Sequence, residues 1–574
     1  MKKTTILLAM FLIVGCQPGE PAISESKPEQ PSSETANAPH TNNDVANSPV
    51  ETATRQLEPK SPDLGFVISG PEEVVFDWTT DRCEPENIPD IAARAIRDAN
   101  GQVQLTIGHY VGYRMIGPDL DNLQSDCNAP ISVSDYDPDP AMFNDAEWIG
   151  ALYTPDGETV YAIVHNEYRG HMHGSERPGQ CPSGDYLTCL DTSLTMMIST
   201  DGGASYHDIA EPPNHMIATL PYAFDDQGVP SGLRQPSIIH AQDGYFYVFS
   251  NVSDYPTEEQ WACLMRTDNL DDPSSWRYWD GAGFTGKFIN PYTNVVDENT
   301  STCVRPPDFD LGAGLVEGIT YNTVLERYVA VGVSFNPYTT QPTWGIYYST
   351  SADLLDWSRR RLLLEVPIIA SVSNPDTDLM YAYPTLIDPD SPSINFDTTD
   401  DQAYLYMTRA NFGGGSLDRD LVRYPIELVP ITYEIPNWEF ETDGDFEGWL
   451  DENQVEDFAV TGGILSMQSN GIDPYMSSSA TEFPANDNGH ISITMKVSPG
   501  ESTIGQVFFI TDLDKEFDEA KSLVFDVISD GKFHTYDLDM SSVGGWRGLV
   551  QQLRFDPVVG EGRMIEIDQI AVGP

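Results

Sequence analysis

A strand–turn–strand unit recurs along this chain, and any fold it adopts has to house every copy. The pattern is plainest in Phe143 to His173, FNDAEWIGALYTPDGETVYAIVHNEYRGHMH. Two apolar runs flank Pro155-Asp156-Gly157, which marks a tight β-hairpin. A hairpin returns its chain to where it began, so Glu147 and His165 are expected at one end, with Glu167 beside them. Two acids and an imidazole at one strand end are what proton transfer requires. Four further copies follow the same plan: Ala95 to Tyr110, turning at Asn100-Gly101; Pro236 to Asn251, turning at Asp243-Gly244; Gly318 to Ser334; and Pro384 to Arg409, with a longer connection.

Between these copies lie outer-strand candidates at Ser193 to Ser199, Trp261 to Thr267 and Thr343 to Thr350. Repeats of this size, each strand-rich, predict an all-β chain with a β-propeller. Five hairpins predict five blades, in a domain over residues 64–432. In such a ring the residues that open the first strand or close the second converge near the axis. They are His109 and Arg114; Asp145, Glu147, His165 and Glu167; Arg234, Gln235 and Asn251; Glu317; and Tyr383 and Arg409. Convergent polar groups of this kind are the default binding site.

Past the linker Pro436-Asn437 the pattern changes. Short strand-like runs at Ile491 to Val497, Gln506 to Ile510, Ser522 to Val527, His534 to Leu538, Leu549 to Phe555 and Met564 to Val572 predict a β-sandwich of jelly-roll type over residues 433–574.

Several short phrases resemble known families. Ser199 to Tyr206, STDGGASY, resembles the Asp-box of sialidase-like propellers, a structural turn. Gly345 to Leu364, GIYYSTSADLLDWSRRRLLL, is similar to the outer strands of five-bladed arabinanase and β-xylosidase-type glycosidases. Val316-Glu317-Gly318 resembles the Glu-Gly step that carries their general acid, although here it falls in the fourth hairpin and no clean aspartate opens the first. GGWRGLVQQLRFDPV with IEIDQIAV resembles the sugar-binding modules of secreted polysaccharide-degrading enzymes, where Trp449 or Trp546 would stack on a sugar; either ring serves equally as core, and Trp449 more readily so.

The resemblance implies a glycoside hydrolase acting on an extracellular, marine or algal and anionic, polysaccharide. Glu147 and Glu317 would face each other as acid and base, His165 and Arg234 would orient the substrate, and Tyr222 would act as an acid beside Arg234. Two alternatives stay open. One is a lyase for a uronate polysaccharide such as ulvan, staffed by His109, His165, Tyr222 and Arg234. The other is a non-catalytic glycan-binding lipoprotein. No cofactor is required, and acidic loops such as Asp135 to Asp139 and Asp397 to Asp401 are candidates for structural calcium. His171 and His173, with His165 and Glu167, form a conceivable ligand set without a familiar metal spacing, so no metal site is assigned.

The chain starts MKKTTILLAMFLIVGC: a basic pair, an apolar stretch too short to span a bilayer, and a sequence resembling a bacterial lipobox. The resemblance implies a signal peptide over residues 1–15, lipid on Cys16 and, with Gln17 following, anchoring at the outer membrane. Residues 16–63 lack large apolar side chains and are expected to be a disordered tether. A formal charge of −59 excludes nucleic acid as a partner, since no basic stripe exists to release counterions; such a charge suits solubility in salty water. A monomer is expected. Six further cysteines in an exported chain point to disulfides, and Cys181 and Cys189 are close enough to staple one loop.

Overall fold

The structure, a computed structural model, describes residues 63–173, 181–186, 188–224, 231–254, 259–296, 302–306, 309, 316–335, 343–368, 379–501, 503–512 and 514–574. The signal peptide, Cys16 and the tether expected over residues 1–62 lie outside the described residues. Apart from one short helix at Trp78–Asp81 and isolated 3-10 turns, the described chain is β-structure.

Each recurring hairpin opens one antiparallel run of strands, called a sheet below; sheets II and III are joined by a short parallel pairing of Asp191 and Thr192 with Ser231 and Gly232. Sheet I runs Arg94–Arg97, Val103–Thr106, Arg114–Gly117 and Gln124–Ser125. Sheet II runs Ala146–Tyr153, Val160–Arg169 and Leu190–Ser199, with His207–Asp208 and Met216–Ala218 on its outer edge. Sheet III runs Ser231–His240, Phe246–Asp254, Glu259–Thr267, Arg277–Trp279 and Phe284–Gly286. Sheet IV runs Gly318–Asn322, Arg327–Phe335, Trp344–Ser351 and Arg361–Glu365. Sheet V runs Leu379–Ile387, Gln402–Asn411 and Arg419–Pro430, and is completed by Leu64–Ile68 from the start of the described chain. That last pairing joins the two ends of the repeat region, which leaves no open edge there.

Glycine makes the tight turns possible. Gly157 has φ +76°, and a Cβ on it would lie 2.5 Å from the Ala99 nitrogen, so the sheet II turn docks directly on the sheet I turn. The centre is marked by one side chain. Arg94, opening sheet I, donates to the carbonyls of Gly150 (2.8 Å), Pro236 (3.1 Å) and Glu317 (2.6 Å) and to the Thr385 hydroxyl (3.2 Å). These four residues belong to, or adjoin, the first strands of sheets II, III, IV and V. A single guanidinium that reaches all of them places the five first strands around a common centre. The centre is tight: a Cβ on Gly150 would sit 2.7 Å from Pro236.

The phrase resembling an Asp-box folds as a closed turn. Asp201 accepts from the Ala204 and Ser205 backbone and from the Ser199 and Ser205 hydroxyls. The same device recurs at Ser351-Ala352-Asp353 in sheet IV.

Beyond residue 436, two six-stranded antiparallel sheets share one buried apolar core that includes Phe440, Trp449, Phe509, Phe555 and Ile567. They dock on sheet IV through Arg361 to Glu482 (2.8 Å) and the Lys515 ammonium to the Trp357 carbonyl (3.0 Å). Of the two readings of the tryptophans, sugar contact or core, the structure shows core. Trp449 is 1% exposed and Trp546 6% exposed, and the Trp546 indole donates to the Ala485 and Asn488 carbonyls. Both rings fill the core, so neither face is offered to a sugar.

Candidate functional site

The second strand of sheet II carries His165 and Glu167 on one face, because side chains two apart along a strand point the same way. Register places His165 opposite Trp148 and Glu167 opposite Ala146. The Trp148 ring lies 5.6 Å from His165 and 5.7 Å from His109, which comes from the end of the sheet I hairpin. Glu167 divides its oxygens: Oε1 meets His165 Nε2 at 3.2 Å, and Oε2 accepts the Tyr186 hydroxyl at 3.2 Å. Tyr186 is held in the loop closed by the Cys181–Cys189 disulfide, one of three bridges. The expected staple is therefore present.

A second carboxylate enters from sheet I. Asp90, four residues ahead of the first strand, pairs with Arg419 of sheet V and lies 3.8 Å from His109 Nε2. It also accepts the Tyr383 hydroxyl at 3.4 Å. Burial raises both tyrosines well above their usual value; nearby Glu167 adds to this for Tyr186, and Asp90 for Tyr383. Both phenols are therefore neutral hydrogen-bond donors. Tyr186 also feels the field of Asp90, and Tyr383 those of Glu317 and Glu167.

Arg234, from the first strand of sheet III, completes the group. Burial pulls its guanidinium down to about 10, opposed by the fields of Glu167, Tyr186 and Tyr383. His109 is lowered by burial, against the pull of Asp90 and Glu86, and stays neutral near pH 7. The aim of these side chains comes from the backbone. Register shifts interrupt the first strands of sheets III and V at Arg234/Ser237 and Ala382/Thr385, where Gln235 (φ +52°) and Tyr383 (φ +58°) adopt left-handed conformations. Bulges of this kind re-aim a side chain next to a site.

Several expected members lie elsewhere. Glu147 pairs with Asn166, on the face of the hairpin opposite Trp148, His165 and Glu167; its carboxyl looks toward Asp208, Asp135 and Asp145. The structure therefore does not bring Glu147 and Glu317 into one group. Glu317 is enclosed beneath Tyr383, and burial pushes its carboxyl up to about 8. Arg114, in the third strand of sheet I, forms an ion pair with Asp126 (3.0 Å) and bonds Gln104, so it is a framework residue. Tyr222 packs on the apolar cluster shared by sheets II and III; the phenol whose field reaches Arg234 from the stapled loop is Tyr186.

Asp145 caps the Arg169 backbone and binds His173 (2.8 Å). Asn251 ties Gln235 to the Val316 backbone, and Arg409 bridges Glu72 and Asp420. His171 rests edge-on against Tyr186, while His173 stacks on Tyr168. The first hairpin itself opens without an aspartate, and Asp90 lies four residues ahead of its first strand. Asp90, Tyr186 and Arg419 were not anticipated. The available signals were Pro89-Asp90 just ahead of an apolar strand, and a polar aromatic inside the Cys181–Cys189 loop.

No protein-family model matches the chain, and no curated protein does. Solved structures with a loosely similar chain course are glycoside hydrolases. A family 43 arabinoxylan arabinofuranohydrolase from Bacillus subtilis is 11% identical over 87% of this chain and 99% of its own, with a TM-score of 0.33. The α-L-arabinanase of Cellvibrio cellulosa, in complex with arabinohexaose, is 10% identical over 61% and 94%, at 0.34. A family 32 β-fructofuranosidase from Bombyx mori is 11% identical over 85% and 92%, at 0.35. At such scores no residue role transfers from them to this chain.

Proposed function

We propose that the chain is a glycoside hydrolase built as a five-bladed propeller with a C-terminal sandwich, acting on an anionic polysaccharide outside the cell. The observation that carries this reading is the pair of carboxylates, Asp90 and Glu167, each accepting a phenol hydroxyl, from Tyr383 and Tyr186 respectively. Glycoside hydrolysis needs two carboxyl groups on either side of the scissile bond. In this reading Asp90, paired with Arg419, and Glu167, in contact with His165 and Tyr186, are the two carboxyl groups that divide the acid and base roles between them. Arg234, His109 and the two phenols bind hydroxyl and carboxylate groups of the sugar. A lipid on Cys16 would tether this body to the outer membrane, which mass analysis of the N-terminal peptide tests.

One observation favours a second reading. Tyr186, Arg234 and Glu167 lie within one another's field, and a lyase needs a cation to neutralise the uronate carboxylate and a phenol or imidazole to move its α-proton. The test is to incubate the full chain with neutral and anionic polysaccharides, following new reducing ends together with the ultraviolet absorbance of an unsaturated uronate. Reducing ends alone support hydrolysis, and both together replace it with elimination. Binding without either signal would make the protein a glycan receptor and overturn both enzyme readings.

A further inference from the structure

The face of the sheet II hairpin that looks away from His165 carries its own constellation. Glu147 of the first strand, Asp208 of the outer strand His207–Asp208, and His215 just before Met216–Ala218 each bring one ligand atom to a common point. A carboxylate oxygen of Glu147, a carboxylate oxygen of Asp208 and a ring nitrogen of His215 all lie within 4.8 Å of one another. Asp135 stands at the mouth of this group, its Oδ2 accepting from Asn144, and its charge is felt by all three.

Such a group is costly as it stands. Glu147 is 3% exposed and its Oε1 has no hydrogen-bond partner; His215 is fully buried. The Phe143 backbone lies beside the imidazole, but neither ring nitrogen makes a hydrogen bond of good geometry. Among the described residues no lysine or arginine forms an ion pair with Glu147, Asp208 or Asp135. Buried polar atoms in native proteins almost always have partners, and an orphan calls for an unseen one. Here a buried carboxyl oxygen and a buried imidazole lie in one small cluster with two further acids. A cation answers the carboxyl oxygen and one ring nitrogen, while the Phe143 backbone lies beside the imidazole.

We infer that Glu147, Asp208 and His215 bind one divalent transition-metal cation of the zinc type. The donor set selects the ion: an imidazole nitrogen with carboxylate oxygens suits zinc, whereas calcium takes an all-oxygen shell of six to eight ligands. Asp135 or a water molecule supplies the remaining position. The cation would tie the segment running from Asp208 to His215 to the first strand of the sheet. It lies on the opposite face of that strand from His165 and Glu167, so its role is to hold sheet II in shape. This differs from the calcium expected for the loop Asp135 to Asp139, in which only loop carboxylates were considered.

The test is made on the full chain, stripped with a chelator and titrated separately with zinc, manganese and calcium by calorimetry. The expected result is one equivalent of zinc bound, with calcium at least tenfold weaker, and a thermal midpoint that rises with zinc concentration. His215→Ala and Glu147→Gln should each weaken zinc binding by roughly 100-fold or more, beyond the range for losing a supporting group. His207→Ala, an exposed neighbour, should leave it unchanged. Should either ligand variant fail to fold, cobalt added to the stripped wild-type chain gives a second readout: one equivalent should produce visible absorption, abolished by competing zinc. Absence of a stoichiometric zinc or cobalt site in the wild-type chain overturns the inference. So does undiminished zinc affinity in His215→Ala.

Discussion

One hairpin, Ala146–Tyr153 with Val160–Arg169, presents two polar faces with opposite characters. On one, His165 and Glu167 exchange hydrogen bonds with each other and with Tyr186, and residues of sheets I, III and V close around them. On the other, Glu147 meets Asp208 and His215 with donors and acceptors left unmatched. The two differ in who completes them. The first is completed by protein, drawn from distant parts of the chain, with its carboxyls and phenols paired to one another. The second keeps unmatched atoms, which the proposed cation would satisfy. Adjacent residues on a strand thus serve separate tasks, because the alternation of a β-strand gives neighbours no common surface.

This contrast is open to attack at several points. The largest expected effect is on turnover: Glu167→Gln and Asp90→Asn should each lower kcat by on the order of 1,000-fold, the scale of lost acid–base catalysis, as read from reducing-end release. Next, His215→Ala should destabilise the fold by about 3 kcal/mol, the cost of emptying a buried site, as measured by chemical denaturation with zinc present. A smaller effect is expected at the loop that delivers Tyr186 to the first face. Replacing Cys181 and Cys189 together by serine removes a constraint worth on the order of 2 kcal/mol. It should raise KM more than it lowers kcat.

A further effect, spread over pH, concerns Glu317, whose raised value gives a sign that can be worked out. In the native chain its carboxyl keeps its proton up to about 8, whereas the unfolded chain releases it from the ordinary value of 4.5. Between these limits the unfolded state binds fewer protons, so stability falls as pH rises, by at most about 1.4 kcal/mol per unit. Below 4.5 and above about 8 this contribution is flat. Glu317→Gln should therefore lose less stability than wild type between pH 5 and pH 8.

Much of the β-framework was legible in the sequence, because period-two apolar runs and glycine turns are local signals. The strand expected at Ser522 to Val527 is observed with those bounds, and Met564 to Val572 ends one residue early. The hairpin centred on Pro155-Asp156-Gly157 is present, with His165 in its second strand. What sequence proximity could not settle was the face. Glu147 and His165 do end up at one end of the hairpin, but register sets His165 against Trp148 and turns Glu147 away.

Long-range partners were equally hidden. Nothing near Asp90 announces Arg419, and nothing near Glu167 announces Tyr186 beyond the cysteines around it. Arg94 sits in an apolar run, and nothing beside it announces its partners. In the fold it finds carbonyl acceptors on three neighbouring first strands and a hydroxyl on a fourth. For the tryptophans of the C-terminal unit core and sugar contact both stayed open in the sequence, because an amphipathic ring serves a core as well as it serves a sugar.

The most direct measurement is the turnover of Glu167→Gln set beside that of Glu147→Gln, on one polysaccharide cleaved by the wild-type chain and at equal folded concentration. With His165 and Glu167 as the working face, Glu167→Gln falls by about 1,000-fold while Glu147→Gln falls by less than about tenfold. The reverse order, with Glu147→Gln inactive and Glu167→Gln still turning over, would contradict the account and return Glu147 to the chemistry.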